Sequence, residues 1–122
     1  MNQELDNILQ AATTIQAGLL RFKNEKGQQT LQVKIAQGDD RSIHCLISGD
    51  VPAKIKIKNK NIHLIQKHHD DYFFIAGYVD GVVKNNSRIL SIAINKASWF
   101  VRKRKGSVTW FREKYTYENA AA

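Results

Sequence analysis

After Gly27 the hydrophobic period of this chain changes from 3.6 to 2, and that change decides the class of fold. Before it, Leu5, Ile8, Leu9, Ala12, Ile15, Leu19 and Phe22 step by three and four, the spacing of one buried helix face. After it, apolar residues alternate with polar ones, the mark of half-buried strands. The expected fold is therefore α+β: an N-terminal amphipathic helix packed on a strongly bent antiparallel β-sheet, as a roll or an open barrel.

The spacing predicts a helix from residue 3 to about residue 23. Asn2 can cap its start and Glu4 suits its first turn. Lys23 and Lys26 lie near the end, where Gly27 can take the left-handed stop. Gly18 inside the helix costs about 1 kcal/mol relative to Ala, so the segment must lean on tertiary packing.

Leu31, Val33 and Ile35 then alternate with Gln32 and Lys34, and Ile43, Cys45 and Ile47 alternate beyond Gly38-Asp39-Asp40. A three-residue loop would set Ile35 opposite Ile43, Val33 opposite Cys45 and Leu31 opposite Ile47, all on one face. Pro52, the single proline, breaks the sheet where no ladder hydrogen bond is needed. A turn at Asn59-Lys60 would pair Ile57 with Ile62 and Ile55 with Leu64. It would leave Lys54, Lys56 and Lys58 on the opposite face. Lys67–Asp71 reads as a polar turn. Tyr72 to Val79 is apolar on both faces, as a strand covered on both sides would be. Asp80-Gly81 is a hairpin signal, Asn85-Asn86-Ser87 is another turn, and Ile89–Ile94 is a strand. Residues 96–105 fit either a short helix capped by Asn95 or a strand hairpinned through Lys105-Gly106-Ser107 to Val108–Tyr117; the hairpin is favoured.

Length and composition narrow the setting. At 122 residues, 43% hydrophobic and 25% charged, residues 1–119 are expected to form one globular domain. Ala120–Ala122 reads as a tail left by cloning. No apolar run reaches the ~20 residues of a membrane span, and Met1–Glu4 lacks the flank and core of a secretion signal. A lone cysteine, Cys45, permits no internal disulfide. The expectation is a cytoplasmic setting.

The formal net charge is +8, which draws the chain to polyanions. Most of that charge is local. Lys96–Lys114 holds seven basic residues against Glu113, a balance of +6, and Trp99–Tyr117 holds six of the eleven aromatics. Cations interleaved with flat rings suit a single-stranded nucleic acid, phosphate to cation and base to ring. The candidate nucleic-acid-binding residues are Lys54, Lys56, Lys58, Trp99, Arg102, Lys103, Arg104, Lys105, Trp110, Arg112 and Lys114. Simple alternation puts Trp110 and Arg112 on one face and Phe111, Glu113, Tyr115 and Tyr117 on the other. One of these sets must then go to the core.

Catalytic chemistry has little support. His68, His69, Asp70 and Asp71 suggest a metal site, but neighbours on a strand point apart and no spaced ligand set completes it. His44, His63 and Glu113 could serve acid–base cleavage of RNA, yet nothing in their spacing joins them. There is no Walker A loop, Gly-x-Gly-x-x-Gly, nucleophile elbow or His-Glu-x-x-His, so no cofactor is expected. The function expected is a non-enzymatic nucleic-acid-binding domain, for single-stranded DNA or RNA. The alternative is a protein-interaction or assembly module, homo-oligomeric or with a protein partner, using the same aromatic and basic surface.

Overall fold

The computed structural model describes residues 3–39, 41–47, 60–83 and 88–119. The chain forms α1 (Gln3–Ile15), β1 (Ala17–Asn24), β2 (Gly27–Gln37), β3 (Ser42–Ile47), β4 (Asn61–His68), β5 (Asp71–Val82), β6 (Ile89–Lys105) and β7 (Val108–Glu118). The strands make one antiparallel sheet in the order β3-β2-β1-β4-β5-β6-β7, and β3 also pairs with β6. That extra pairing closes six strands into a ring, with β7 outside it. The α+β architecture, a helix on a strongly bent antiparallel sheet, is the one the change of period implies.

The helix is shorter than its periodicity suggests. Leu5, Ile8, Leu9 and Ala12 are buried as expected, but α1 ends at Ile15 and Gln16 turns left-handed at φ 69°. Residues 17–24 form a strand instead. Leu20 and Phe22 point into the core, whereas Leu19, which fitted the helical stripe, is 40% exposed. The reason is tertiary. As β1, this segment is paired along both edges, to β2 and to β4, and these ladders outweigh a helix weakened by Gly18. Gln66, buried, fastens the junction: its amide donates to the carbonyls of Ala12 (3.0 Å) and Ala17 (2.9 Å). Gly27 follows the Glu25-Lys26 turn of a β1–β2 hairpin at φ 98°, so it is a turn residue and not a helix stop. The cap expected at Asn2 lies outside the described residues.

The β2–β3 hairpin forms with the expected residues inward but two positions out of the expected register. Val33 faces Ile47, Ile35 faces Cys45 and Gln37 faces Ile43. Gly38 and Ser42 close the loop, with the Gly38 amide on the Ser42 carbonyl at 3.2 Å, and Arg41 takes the left-handed position at φ 58°. A slip of two preserves the face, so alternation alone could not detect it. The pairing of Ile55 and Ile57 with β4 lies outside the described residues.

β5 is interior to the sheet, yet only one of its faces is covered. Phe73, Ile75 and Val79 are buried, while Phe74 is 43% exposed. The expectation of cover on both sides is therefore corrected. Outer-face rings are sheltered by each other: Phe74 meets Phe100 and Tyr72 meets Phe111, both edge to face. Asp80-Gly81 is not a hairpin turn either. β5 continues to Val82, and Asp80 is an extra residue where the ladder to β6 shifts. Gly77 is required by a close approach. A Cβ there would lie 2.1 Å from the Ala93 carbonyl oxygen.

Residues 96–105 are strand, the continuation of β6. Leu90, Ile92 and Ile94 point inward, and then the inward positions become Ala97 and Trp99. Asn95 is the extra residue where Ala76 pairs with Lys96 but Gly77 with Ile94. This bulge reverses the parity of alternation and explains why the stretch reads ambiguously in sequence.

Candidate nucleic-acid interface

Two strands project past the rest of the sheet. Pairing of β5 to β6 stops at Asp71 opposite Val101. Beyond it, Arg102 pairs with Phe111 of β7 and still donates its backbone N–H to the Asp70 carbonyl at 2.7 Å, while Lys103, Arg104 and Lys105 pair with Trp110, Thr109 and Val108 of β7 alone among the described residues. A two-residue turn at Gly106-Ser107, with Gly106 at φ 62°, closes this arm in a geometry that suits the twist of paired strands. Every residue from Lys103 to Lys114 is exposed. No core is available to hold the arm's apolar side chains, and Val108, Trp110 and Phe111 are 60%, 44% and 55% exposed.

A second bulge sorts the arm's faces. Trp99 lies opposite Tyr115 but Phe100 lies opposite Glu113, which makes Lys114 the extra residue. Alternation counted through Lys114 therefore fails. The ladder puts Lys103, Lys105, Val108, Trp110 and Arg112 on the side of Trp99, Tyr115 and Tyr117, the side on which α1 packs. Arg102, Arg104, Thr109, Phe111 and Glu113 lie on the outer side with Phe100 and Tyr72. The expected grouping of Phe111 and Glu113 with Tyr115 and Tyr117 is thus corrected, and the bulge is the cause.

The two faces differ in charge. On the Trp110 side, Lys103, Lys105 and Arg112 stand with no acidic residue among them. Lys114 joins them at the base, its ammonium 4.2 Å from the centre of the Trp99 ring. On the outer side Arg102 is bound by Asp70, with Nη2 and Nε at 2.9 and 3.1 Å from Oδ1, and Glu113 accepts from the Thr116 hydroxyl. Arg104 is the remaining cation there. Among the described residues Lys103, Arg104, Lys105 and Arg112 have no acidic partner, which leaves them open to a polyanion.

At the arm's base the rings pack inward. Trp99 is half-buried, 5.1 Å from Phe73 and 5.7 Å from Tyr115 between ring centres. Its indole N–H donates to Asp71 Oδ1 at 2.9 Å. Trp99 is therefore in part a packing residue, while Trp110 stands in solvent. Between α1 and these rings lies a cleft of ≈ 450 Å³. Its helix wall carries Asn7, Gln10 and Thr14; its sheet wall carries His68, Asp71, Phe73, Trp99, Lys114 and Tyr115. Comparison of the sequence with known proteins finds no matching family model and no matching curated protein.

The structure thus brings together Trp99, Lys103, Lys105, Trp110, Arg112 and Lys114 along one side of one arm. Arg102 and Arg104 belong to the opposite side. Lys54, Lys56 and Lys58 lie outside the described residues. The helix wall of the cleft was invisible in sequence, because Asn7, Gln10 and Thr14 look like any solvated helix face. Only the packing of α1 beside β7 gives them a partner surface.

The other candidate chemistry does not assemble. His68 and His69 are edge to face with ring centres 4.3 Å apart, because His69 leaves the strand at φ 55° in the turn to β5. Among the described residues no group of three or more His, Cys, Asp or Glu side chains could hold a metal ion. His44 neighbours Ala36 and Ser91, His63 neighbours Arg21 and Ala76, and Glu113 neighbours Phe100. These three are on separate strands with no shared site. Cys45 is buried, and burial pushes its thiol up to about 12, so it is a packing residue and a poor nucleophile. A larger groove, ≈ 770 Å³, is lined by Leu19, Leu46 and Ile65 among others and has no aromatic side chain in its wall. Among the described residues no helix is long and apolar enough to cross a membrane.

Proposed function

We propose that this chain is a non-enzymatic nucleic-acid-binding domain whose projecting β6–β7 arm grips a single strand of DNA or RNA. The observation that carries the reading is the segregation of charge by the Lys114 bulge. Lys103, Lys105, Arg112 and Lys114 share one side of the arm with the exposed Trp110. Cations at strand spacing meet successive phosphates, and an exposed indole between them offers a base a stacking surface. A single strand suits this layout better than a duplex, since stacking on Trp110 needs an unpaired base face. The buried thiol of Cys45 fits a reducing, cytoplasmic setting.

Titration with labelled single- and double-stranded oligonucleotides at several salt concentrations tests the reading. Binding should weaken on a log–log slope of several units, with the single strand preferred. Absence of binding at low salt ends the proposal.

A second reading rests on the other face. Tyr72, Phe74, Phe100 and Phe111 form an outer aromatic strip with Arg102 and Lys67 at its margin, Lys67 lying 5.7 Å over the Tyr72 ring. Aromatic centres with cationic rims are common at protein interfaces. A protein-interaction role would use this strip, as a self-contact or with a partner. Sedimentation of the chain and of Phe74→Ser distinguishes it. A concentration-dependent dimer lost in the variant supports assembly, and a monomer throughout leaves the strip without a self-contact.

A further inference from the structure

Resting on the nucleic-acid reading, we infer that the cleft between α1 and the base of the arm is a base-reading pocket. It takes one unpaired nucleotide whose base carries an exocyclic amino group. The cleft is continuous with the cationic side of the arm, since Lys114 belongs to both. A strand tracked along Lys103, Lys105 and Arg112 is delivered to its mouth. Its ≈ 450 Å³ falls within the roughly 300–1,000 Å³ of small-molecule sites.

The walls define the ligand. Trp99 and Tyr115 supply flat rings, held in place by Phe73 behind Trp99 and by the indole N–H on Asp71. Among the described residues no carboxylate pairs with Lys114. Its ammonium rests on the Trp99 ring, where a base can replace it, and the ammonium then moves to the phosphate of the same nucleotide. Asp71 uses Oδ1 for the indole and keeps a second oxygen as an acceptor at the cleft. A carboxylate there disfavours a bare anion and favours a group that donates hydrogen bonds. Cytosine, adenine and guanine present an amino group to such an acceptor; thymine and uracil have no amino group and offer only the N3–H, flanked on both sides by carbonyl oxygens that a carboxylate repels. The amides of Asn7 and Gln10 on the helix wall offer a donor and an acceptor each for the rest of the base edge.

The test uses the full chain, with affinity read on the parent chain and Trp99 emission read in a Trp110→Phe background, where Trp99 is the sole indole. Oligo-dC and oligo-dT of equal length are compared by anisotropy of labelled strands and by Trp99 emission with unlabelled ones. The assignment expects quenching of Trp99 by oligo-dC and about tenfold tighter binding of oligo-dC than oligo-dT. Gln10→Ala, on the exposed face of α1, should narrow that preference. Ala11→Phe should fill the cleft and abolish the quenching while the arm still binds. Anisotropy that reports binding with Trp99 emission unchanged overturns the pocket and leaves the arm standing. Equal affinity and quenching with both oligomers overturns the amino-base assignment. Absence of any anisotropy change with the parent chain, Trp110 intact, overturns the nucleic-acid reading and the pocket with it.

Discussion

β6 is one strand with two kinds of surroundings. Its first half, Ile89–Ile94, lies between β5 and β3 and buries Leu90, Ile92 and Ile94 completely or nearly so. Its last part, Lys103–Lys105, has β7 as its sole ladder partner among the described residues and is exposed throughout. The backbone is the same extended ladder throughout, so the difference is in what the side chains face. One half spends its residues on packing and holds the ring closed. The other keeps its cations in solvent beside the exposed rings of β7, where burial contributes little; the proposed binding role draws on them. On the proposed reading, stability and recognition are separated along a single element.

The comparison breaks most readily by mutation in the ring. Ile92→Ala should cost about 2–5 kcal/mol of unfolding free energy, because it opens a cavity at a fully buried position. Gly77→Ala should cost as much or more, since the new Cβ collides with the Ala93 carbonyl. Trp110→Ala, measured by the same denaturant titration, should change stability by less than about 0.5 kcal/mol. A large loss there would mean that the arm belongs to the core after all.

For binding the order reverses. Trp110→Ala should weaken single-strand affinity by about 1–3 kcal/mol, whereas Phe111→Ala on the outer side should change it little. Equal losses from both would show that the two sides of the arm are not distinct. Native-state hydrogen exchange draws the same line without mutation. Amides of Leu90–Ile94 should exchange only through global opening, and those of Lys103–Lys105 through local fraying at much lower free energy.

A separate effect, seen only at alkaline pH, is at Cys45, opposite Leu90 in the ring. Burial pushes its thiol from the ordinary thiol range up to about 12 in the fold. The fold holds the proton more tightly, so this contribution to stability is whole below about pH 9 and is lost as pH rises towards 12. Cys45→Ala should show a shallower alkaline decline than the parent chain, and the native thiol should react with alkylating reagents only on unfolding.

Much of this division could be read from residue patterns, and what could not has a common cause. The inward sets Leu5-Ile8-Leu9-Ala12, Val33-Ile35 and Ile43-Cys45-Ile47 follow from periodicity, because each lies in an unbroken element. Residues 17–23 could not be placed by pattern, since Leu19, Leu20 and Phe22 satisfy both periods and the choice is made by β2 and β4 from outside. The faces around residues 95 and 114 were hidden by single-residue bulges, which reverse parity without altering composition. The basic, exposed character of Lys103–Lys105 needed no structure, whereas Arg102, expected to be exposed with them, is half-buried and bound by Asp70. Which of those cations share a side with Trp110 did, because that depends on where the ladder slips at Lys114.

The central claim is that the Trp110 side of the arm, and not the charge of the whole chain, binds the nucleic acid. The direct measurement is the slope of log affinity against log salt for a single-stranded oligonucleotide, for the parent chain and for Lys103→Gln/Lys105→Gln/Arg112→Gln. Each phosphate contact on a single strand contributes about 0.7 to that slope. The account predicts a slope shallower by about 2 in the triple variant, with its unfolding curve unchanged. An unchanged slope would place the phosphate contacts elsewhere on the molecule and contradict the account.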